Sequence, residues 1–340
     1  METTPWMGRD EGPGAVHTRW HHMVYAGQVQ RQHEPKGLAI CGFASHEGTI
    51  RDQGRPGANK GPYNLRHALA QLAFHGGQIV HDRGDVTVTD HDMESAQAAA
   101  GKKLADIIPE HRMTVLLGGG HETTYAGYLG LAASGALDSA KTWGVISLDA
   151  HFAMRNTPKP SEVTCVRQIF ADEKKAGRDF HYSVLGINTA DNVRAQFEHA
   201  INFGASYLKD TECQETKSAD VAAFVAEQIA GLDLIYLSLD LDVLPGYQAP
   251  GVSVPSSLGV PLIIAEEVVT QVAQSGKLLM MDVVGLIPEL DLDDRTARAG
   301  ARLIERATLE AFNRPSPDAG NQEELDVLAQ REEALHSRGL

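Results

Sequence analysis

Six short apolar runs recur along the chain, and they restrict its possible folds more than any other feature of the sequence. Each has five to seven residues and is almost continuously apolar, which is typical of strands buried on both faces of a parallel sheet. Two weaker runs bring the predicted number of strands to about eight. The clear runs are 38–43, 113–117, 143–148, 182–187, 234–239 and 278–284, and the weaker ones are 78–80 and 200–203.

Stretches with apolar residues at helical spacing separate these runs, most clearly at 61–73, 219–230 and 296–306. Alternating strands and helices predict an α/β fold, a three-layer αβα sandwich around a mainly parallel sheet. We expect a single domain over residues 36–313, an N-terminal extension over 1–35 and a charged C-terminal tail over 314–340. Sheets of this kind bind ligands at the carboxyl ends of their strands.

The charge balance disfavours two classes of partner. Thirty Lys and Arg against 45 Asp and Glu give a net charge of -15, which is unsuited to nucleic acid or an anionic membrane surface.

No apolar run reaches the roughly 20 residues that span a bilayer, and the N-terminal residues lack the apolar core of a signal peptide. Three cysteines, Cys41, Cys165 and Cys213, show no paired spacing and indicate a reducing compartment. We expect a cytoplasmic protein with a small-molecule substrate.

Three of the predicted strands end in polar groups that are costly to bury without a purpose. A triple glycine followed by His121 ends the second clear run, and glycines let a backbone approach a ligand closely. Asp149 and His151 end the third run, and they share a face because they are two residues apart in an extended chain.

The end of the fifth run is the strongest of these signals. Asp240 and Asp242 also share a face there, and two like charges so close in a buried place repel unless a cation lies between them. Carboxylate oxygens and imidazole nitrogens suit manganese or a metal of similar hardness, with zinc as an alternative. Two such ions sharing carboxylates are the usual arrangement of two-metal hydrolysis.

These residues resemble the ureohydrolase family, which includes arginase, agmatinase and formimidoylglutamase. The matches run in order from about residue 38 to residue 306, and they look most like formimidoylglutamase, which hydrolyses N-formimidoyl-L-glutamate to L-glutamate and formamide. The matching segments are Gly54-Arg-Pro-Gly-Ala58, Gly61-Pro62, Gly118-Gly-Gly-His-Glu122, Asp149-Ala-His151, Gly186-Ile-Asn188, Ser238-Leu-Asp-Leu-Asp242, Ala249-Pro-Gly251 and Arg295-Thr-Ala-Arg298.

The resemblance implies the arginase fold, homo-oligomers and a role for each matching side chain. His121, Asp149 and Asp240 are expected to hold one manganese ion. The second ion is expected to be held by Asp149, His151, Asp240 and Asp242, so that Asp149 and Asp240 bridge the two ions and act in catalysis. Arg55 and Asn188 are the expected contacts for the glutamate part of the substrate.

Two departures from the family pattern bear on activity. The family has a metal-binding aspartate where this chain has Ala153, and a glutamate facing the cationic substrate group where it has Gly285. The loop Ser161-Glu-Val-Thr-Cys165 also diverges, and His46 stands where relatives often have an aspartate. We expect a weakened first metal position and slow turnover.

Two alternative functions remain open, in which the protein is either a non-catalytic binding or regulatory relative or a mononuclear metal amidohydrolase. Arginase or agmatinase activity is disfavoured because the family's Ser-His-Gly-Thr element is missing.

Overall fold

Nine parallel strands form one continuous sheet in the computed structural model, which describes residues 4–27 and 36–313. The strand order is β1-β3-β2-β4-β9-β8-β5-β6-β7, and every neighbouring pair is parallel. The strands are β1 Val24–Ala26, β2 Leu38–Ala44, β3 Val80–Thr87, β4 Met113–Gly118, β5 Thr142–Leu148, β6 Asp179–Ile187, β7 Ser206–Lys209, β8 Leu234–Asp240 and β9 Leu278–Val284.

Helices cover both faces of the sheet, so the fold is the predicted three-layer αβα sandwich. One apolar core lies between the sheet and α1, α3, α8, α9 and α10, and a second lies between its other face and α4, α5, α6 and α7. Consecutive strand residues alternate between the two cores, as in Ile40 and Cys41. The helices are α1 Trp20–Met23, α2 Glu47–Arg51, α3 Gly61–Ala70, α4 Met93–Ile107, α5 Thr123–Ala133, α6 Cys165–Ala176, α7 Arg194–Asn202, α8 Ser218–Ala230, α9 Leu262–Gln274 and α10 Arg295–Phe312.

The six clear apolar runs and the three predicted helices all appear, but α3 ends three residues before its predicted end and α10 continues six residues beyond it. The weaker run 78–80 marks only the beginning of β3, and the prediction of a strand at 200–203 is wrong because α7 extends to Asn202. The strand in this region is instead β7, Ser206–Lys209, whose residues are only half-buried at the edge of the sheet. An edge strand with one neighbour lacks the continuous apolar pattern of a central strand.

The N-terminal residues take part in the sheet. Val24–Ala26 pairs with β3 as the edge strand β1, Trp20 is buried against Phe74, and the indole of Trp6 donates a hydrogen bond to Asp82. The predicted C-terminal tail, 314–340, lies outside the described residues, and the limits of a single domain over 36–313 stay a prediction. Within the described ranges no helix combines the length and the apolar character needed to cross a membrane.

Candidate metal centre

Four neighbouring strands, β4, β9, β8 and β5, bring their carboxyl ends together in the middle of the sheet. The triple glycine after β4 permits this because its backbone runs directly against the segment after β2. A Cβ atom on Gly119 would lie 1.7 Å from the carbonyl oxygen of Ser45, so no larger residue fits there. The turn places His121 beside Asp149, which follows β5, and Asp240, the last residue of β8.

The first cluster of possible ligands consists of His121, Asp149 and Asp240, all buried. The Nδ1 atom of His121 lies 3.1 Å from Oδ2 of Asp149 and 3.2 Å from Oδ2 of Asp240. The second cluster consists of Asp149, His151 and Asp242. There, Nδ1 of His151 lies 3.0 Å from Oδ2 of Asp242 and 3.7 Å from Oδ1 of Asp149. Asp149 therefore belongs to both clusters.

Backbone amides fix the orientation of all three carboxylates. One oxygen of Asp149 accepts a hydrogen bond from the amide of His151 at 2.7 Å, and one oxygen of Asp240 accepts from the amide of Asp242 at 3.0 Å. Asp242 accepts from the amide of Ala150 at 3.3 Å. The other oxygen of each carboxylate faces an imidazole nitrogen. Asp149 and His151 thus lie together in the second cluster. Asp240 and Asp242 belong to different clusters, and Asp242 lies in a short 3₁₀ helix and not in extended chain.

A polar chain on β8 and β9 sets the orientation of His121. Its Nε2 atom lies 3.2 Å from the hydroxyl of Ser238, which donates its only hydrogen to Asp282 at 2.8 Å. Ser238 must therefore accept a hydrogen bond from Nε2, which leaves Nδ1 as the nitrogen with a lone pair. In the neutral imidazole that lone pair points at two carboxylate oxygens, so in the metal-free protein a proton on Nδ1 takes the place that a cation would occupy. A cation fits this arrangement, and the donor set suits a hard divalent metal.

Ser238 is therefore expected to be a positioning residue. Ser238→Ala leaves the Nε2 hydrogen of His121 without its acceptor, so we expect the affinity for Mn²⁺ to fall about 10–100-fold. Titration of the metal-free variant with Mn²⁺ measures this. The matched control is Ser147→Ala, which removes a buried hydroxyl at the paired position of β5 that forms no hydrogen bond with the described residues. If both variants lost the same affinity for Mn²⁺, the effect would be due to packing and not to the hydrogen bond of His121.

Without a cation, protons must balance the charge of the clusters. Burial alone lowers the pKa of both imidazoles, yet Asp149 and Asp242 raise the pKa of His151, and Asp149 and Asp240 raise that of His121, well above the usual range. Burial raises the pKa of Asp242, and the charge of Asp240 raises it further. Asp149 has a lowered pKa despite its burial, since two imidazoles face it. The metal-free clusters thus hold protons that an ion must displace.

Metal affinity is consequently expected to fall with decreasing pH. Because the pKa values of His121 and His151 are raised, each imidazole carries a second proton at neutral pH and is an imidazolium. This second proton is lost when an ion binds. We expect the association constant to drop about tenfold per pH unit for each ion, since one imidazole proton is displaced per cluster. Isothermal titration at several pH values, in buffers of different ionisation enthalpy, measures both affinity and proton release. Binding independent of pH would contradict this protonation scheme.

An open cleft lies above the clusters and contains all five possible ligands. Ala153 lines it, is buried, and has a φ of 49°, in the left-handed region that aspartate and asparagine tolerate better than alanine. Its methyl group offers no donor atom, so the described residues supply three ligands to the first cluster. The further lining residues are Thr49, Asp52, Ala58, Arg155, Glu162, Val163, Ser253, Val254, Gly285 and Ile287.

Gly285 is a glycine for a local reason. Its φ is 87°, and a Cβ atom there would lie 2.4 Å from Oδ1 of Asp240. Any larger residue would force the backbone or the carboxylate of Asp240 to move. Restoring at this position the carboxylate of the family pattern therefore requires a side chain at positive φ and a shift of Asp240.

The two expected substrate contacts do not line the cleft. The guanidinium group of Arg55 donates to the carbonyl oxygens of Val252 and Ser253, which ties one wall of the cleft to the loop after α2. Asn188 uses its amide within its own turn, donating to Asp191 and accepting from the amide of Ala190. Both side chains thus form hydrogen bonds within the protein, and their expected role as substrate contacts stays a prediction.

Three charged residues that line the cleft, Asp52, Arg155 and Glu162, are not among the candidates from the sequence. Arg155 follows the Asp149–His151 motif by four residues, and its Nη1 lies 3.1 Å from both carboxylate oxygens of Asp52. Glu162 lies in the loop whose divergence the sequence reveals, and its carboxylate accepts a hydrogen bond from Thr49. Two of these residues have a signal in the sequence. Arg155 is close to the motif, and Glu162 is an acidic residue in a divergent loop.

Comparisons with known proteins identify the family of the chain. The sequence model of the Arginase family matches residues 36–309. A formimidoylglutamase of Rhodococcus opacus (strain B4) is 43% identical over 302 residues, which are 89% of this chain and 94% of that protein. A formimidoylglutamase of Nocardia farcinica is 44% identical over 303 residues, 88% of this chain and 94% of that protein.

Solved structures show the same fold. Formimidoylglutamase from Bacillus subtilis superposes with a TM-score of 0.77 at 22% identity, covering 88% of this chain and 93% of that one. Trypanosoma cruzi formiminoglutamase, solved with Mn²⁺, superposes with a TM-score of 0.72 at 22% identity, covering 82% of this chain and 95% of that one.

Proposed function

The chain belongs to the arginase family, and from this premise we propose that it hydrolyses N-formimidoyl-L-glutamate to L-glutamate and formamide. The observation that carries the proposal is the convergence of two imidazoles and three carboxylates at the carboxyl ends of three strands. Relatives that are more than 40% identical over most of their length are formimidoylglutamases, which supports this substrate above other amidines.

Two manganese ions are the proposed cofactor. His121, Asp149 and Asp240 would hold the first, and Asp149, His151 and Asp242 would hold the second, with Asp240 as a further ligand by family resemblance. Bound divalent ions supply a water nucleophile at neutral pH and polarise the bond to be cleaved. The first position is proposed to be the weaker one because Ala153 provides no ligand.

The cleft suits a substrate with an amidine at one end and carboxylates at the other. Its floor carries Asp149, Asp240 and Asp242, whose carboxylates would hold the metal ions beneath the amidine carbon. Arg155 lies in the wall of the same cleft and offers guanidinium donors to a carboxylate, held in place by Asp52. We propose that Arg155 contacts the glutamate part of the substrate. The family resemblance implies this role for Arg55 and Asn188.

The reaction consumes one water molecule. Its oxygen bonds to the amidine carbon, the bond from that carbon to the glutamate nitrogen breaks, and the nitrogen leaves with a proton as the amino group of glutamate. The remaining atoms form formamide. In this scheme Asp149 and Asp240 act in catalysis by orienting the reacting groups, and Arg155 holds the carboxylate end so that the amidine carbon stays over the clusters.

Product analysis tests the function directly. Manganese-loaded protein is incubated separately with N-formimidoyl-L-glutamate, L-arginine and agmatine, and formamide, glutamate and urea are quantified. We expect formamide and glutamate in equal amounts from the first compound and no urea from the others. Urea production without formamide would replace this function by arginase or agmatinase activity.

A second function is favoured by one observation, the alanine at position 153. With one ligand lost, the protein could serve as a binding or regulatory relative that retains the substrate without cleaving it. Calorimetric binding of N-formimidoyl-L-glutamate with no release of formamide during prolonged incubation supports that alternative. Multiple turnovers by the manganese-loaded protein contradict it.

The setting of the reaction follows from the cysteines and from the family. All three cysteines are buried and unpaired, which supports a reducing compartment, and we propose the cytoplasm. Homo-oligomers are proposed by family resemblance alone. Sedimentation velocity of the full chain determines the assembly, and a monomer at micromolar concentration contradicts it.

A further inference from the structure

Glu162 is an acidic residue in the cleft that belongs to neither metal cluster. It follows Ser161 in the loop before α6, and it lines the same cleft as Asp240, Ala153 and Gly285. The ligand atoms of each cluster lie within 4.8 Å of one another, and no atom of Glu162 is among them. Its carboxylate is therefore not placed to complete either set of ligands.

The position of Glu162 is fixed by its surroundings. The buried hydroxyl of Thr49 on α2 donates a hydrogen bond to Oε2 of Glu162. Thr164 closes the loop by accepting from the amide of Ser161 at 2.9 Å, and the carbonyl of Val163 accepts from the amide of Arg155 at 2.8 Å. The carboxylate is thus held inside the cleft wall and is not a side chain in bulk water.

The charge of Glu162 has no partner in the described part of the chain. No lysine, arginine or histidine of those residues forms an ion pair with it. Its acidic neighbours are Glu122, Asp240 and Asp52, and burial followed by the charge of Glu122 raises the pKa of Glu162 to about 8. A carboxylate in such a place is stabilised when a cation binds beside it.

The substrate provides a suitable cation. The formimidoyl group is an amidine, which is protonated at neutral pH and presents N–H donors to a carboxylate in a planar arrangement. We infer that Glu162 binds the cationic amidine of the substrate and makes this protein prefer it over a neutral amide of the same shape. The inference rests on the proposed function. Position 285 cannot take this role, because a side chain there would collide with Asp240.

Glu162→Gln tests the inference. Glutamine keeps an oxygen that accepts from Thr49, so the loop is preserved while the charge is removed. Binding of N-formimidoyl-L-glutamate and of N-formyl-L-glutamate, its neutral counterpart, is measured by calorimetry on manganese-loaded protein. We expect the dissociation constant for the amidine to rise about 10–100-fold and that for the formyl compound to stay within twofold. Glu267→Gln, an exposed change on α9, is the matched control and is expected to alter neither.

Three results would overturn the inference. An equal loss of affinity for both ligands would assign a structural role to Glu162, and loss of a manganese ion from Glu162→Gln would make it a metal ligand. Unchanged binding together with a lower kcat would make it a proton donor. If the wild-type protein binds neither glutamate derivative, the proposed function fails. NMR titration with formamidinium and formamide then tests Glu162 alone: the cation preference must be present in the wild-type protein and absent from the variant.

Discussion

Asp149→Asn is expected to release both metal ions and to lower the rate of hydrolysis by about 10³-fold or more. Asp149 is the one residue that belongs to both clusters, so its charge stabilises both positions. The asparagine oxygen can still accept from the amide of His151, and the turn is therefore retained. Metal analysis after gel filtration and formamide release measure the two effects, and a thermal melt of the variant confirms that it is folded.

Asp220→Asn is the matched control for this variant. Asp220 is an exposed aspartate in α8, so its replacement changes the net charge equally and leaves the clusters intact. We expect the control to retain its manganese and its rate. If Asp149→Asn instead retained two ions per chain, the metal site would lie elsewhere.

Among the single substitutions, Ala153→Asp is expected to give the largest increase in metal affinity and in turnover number. It adds a carboxylate to the cleft where the first cluster has three ligands, and aspartate tolerates the φ of 49° at this position better than alanine does. We expect the affinity for the weaker ion and the turnover number to rise by about 10–100-fold. Titration with Mn²⁺ resolves the two affinities, and formamide release gives the turnover number.

Ala153→Asn separates the charge from the backbone. Asparagine has nearly the same shape as aspartate and the same tolerance of positive φ, and it lacks the negative charge. We expect it to match the aspartate variant in thermal stability but to leave metal affinity near the wild-type value. If both variants gained equally, relief of backbone strain and not a restored ligand would explain the effect. If neither gained, Ala153 would not be the cause of a weak first position.

The central strands and their polar ends could be predicted because both signals are local. Asp149 and His151, and likewise Asp240 and Asp242, stand at the ends of apolar runs that identify buried strands. The two-residue period of extended chain does not continue through them, since Asp242 lies in a short 3₁₀ helix and His151 in a bend after β5. The short run at 200–203 could not be assigned in this way, since three apolar residues among four also fit the end of an amphipathic helix. There the structure has α7.

The rest of the cleft depends on contacts between distant parts of the chain. The resemblance implies substrate roles for Arg55 and Asn188, but the guanidinium group of Arg55 donates to the carbonyl oxygen of Ser253, 198 residues away. Glu162 approaches the clusters because Thr49, 113 residues away, holds it there. The orientation of His121 similarly depends on Ser238, which lies 117 residues further along the chain. No local pattern carries such information.

Anomalous diffraction from crystals of the wild-type protein grown with Mn²⁺ tests the central claim most directly. We predict two manganese peaks separated by about 3.5–4 Å, one bound by His121 and one by His151, with Asp149 in contact with both. The occupancy of the peak at His121 is predicted to be the lower one. Absence of manganese from these five side chains, or their coordination of ions at separate places, would contradict the claim that they form one binuclear centre.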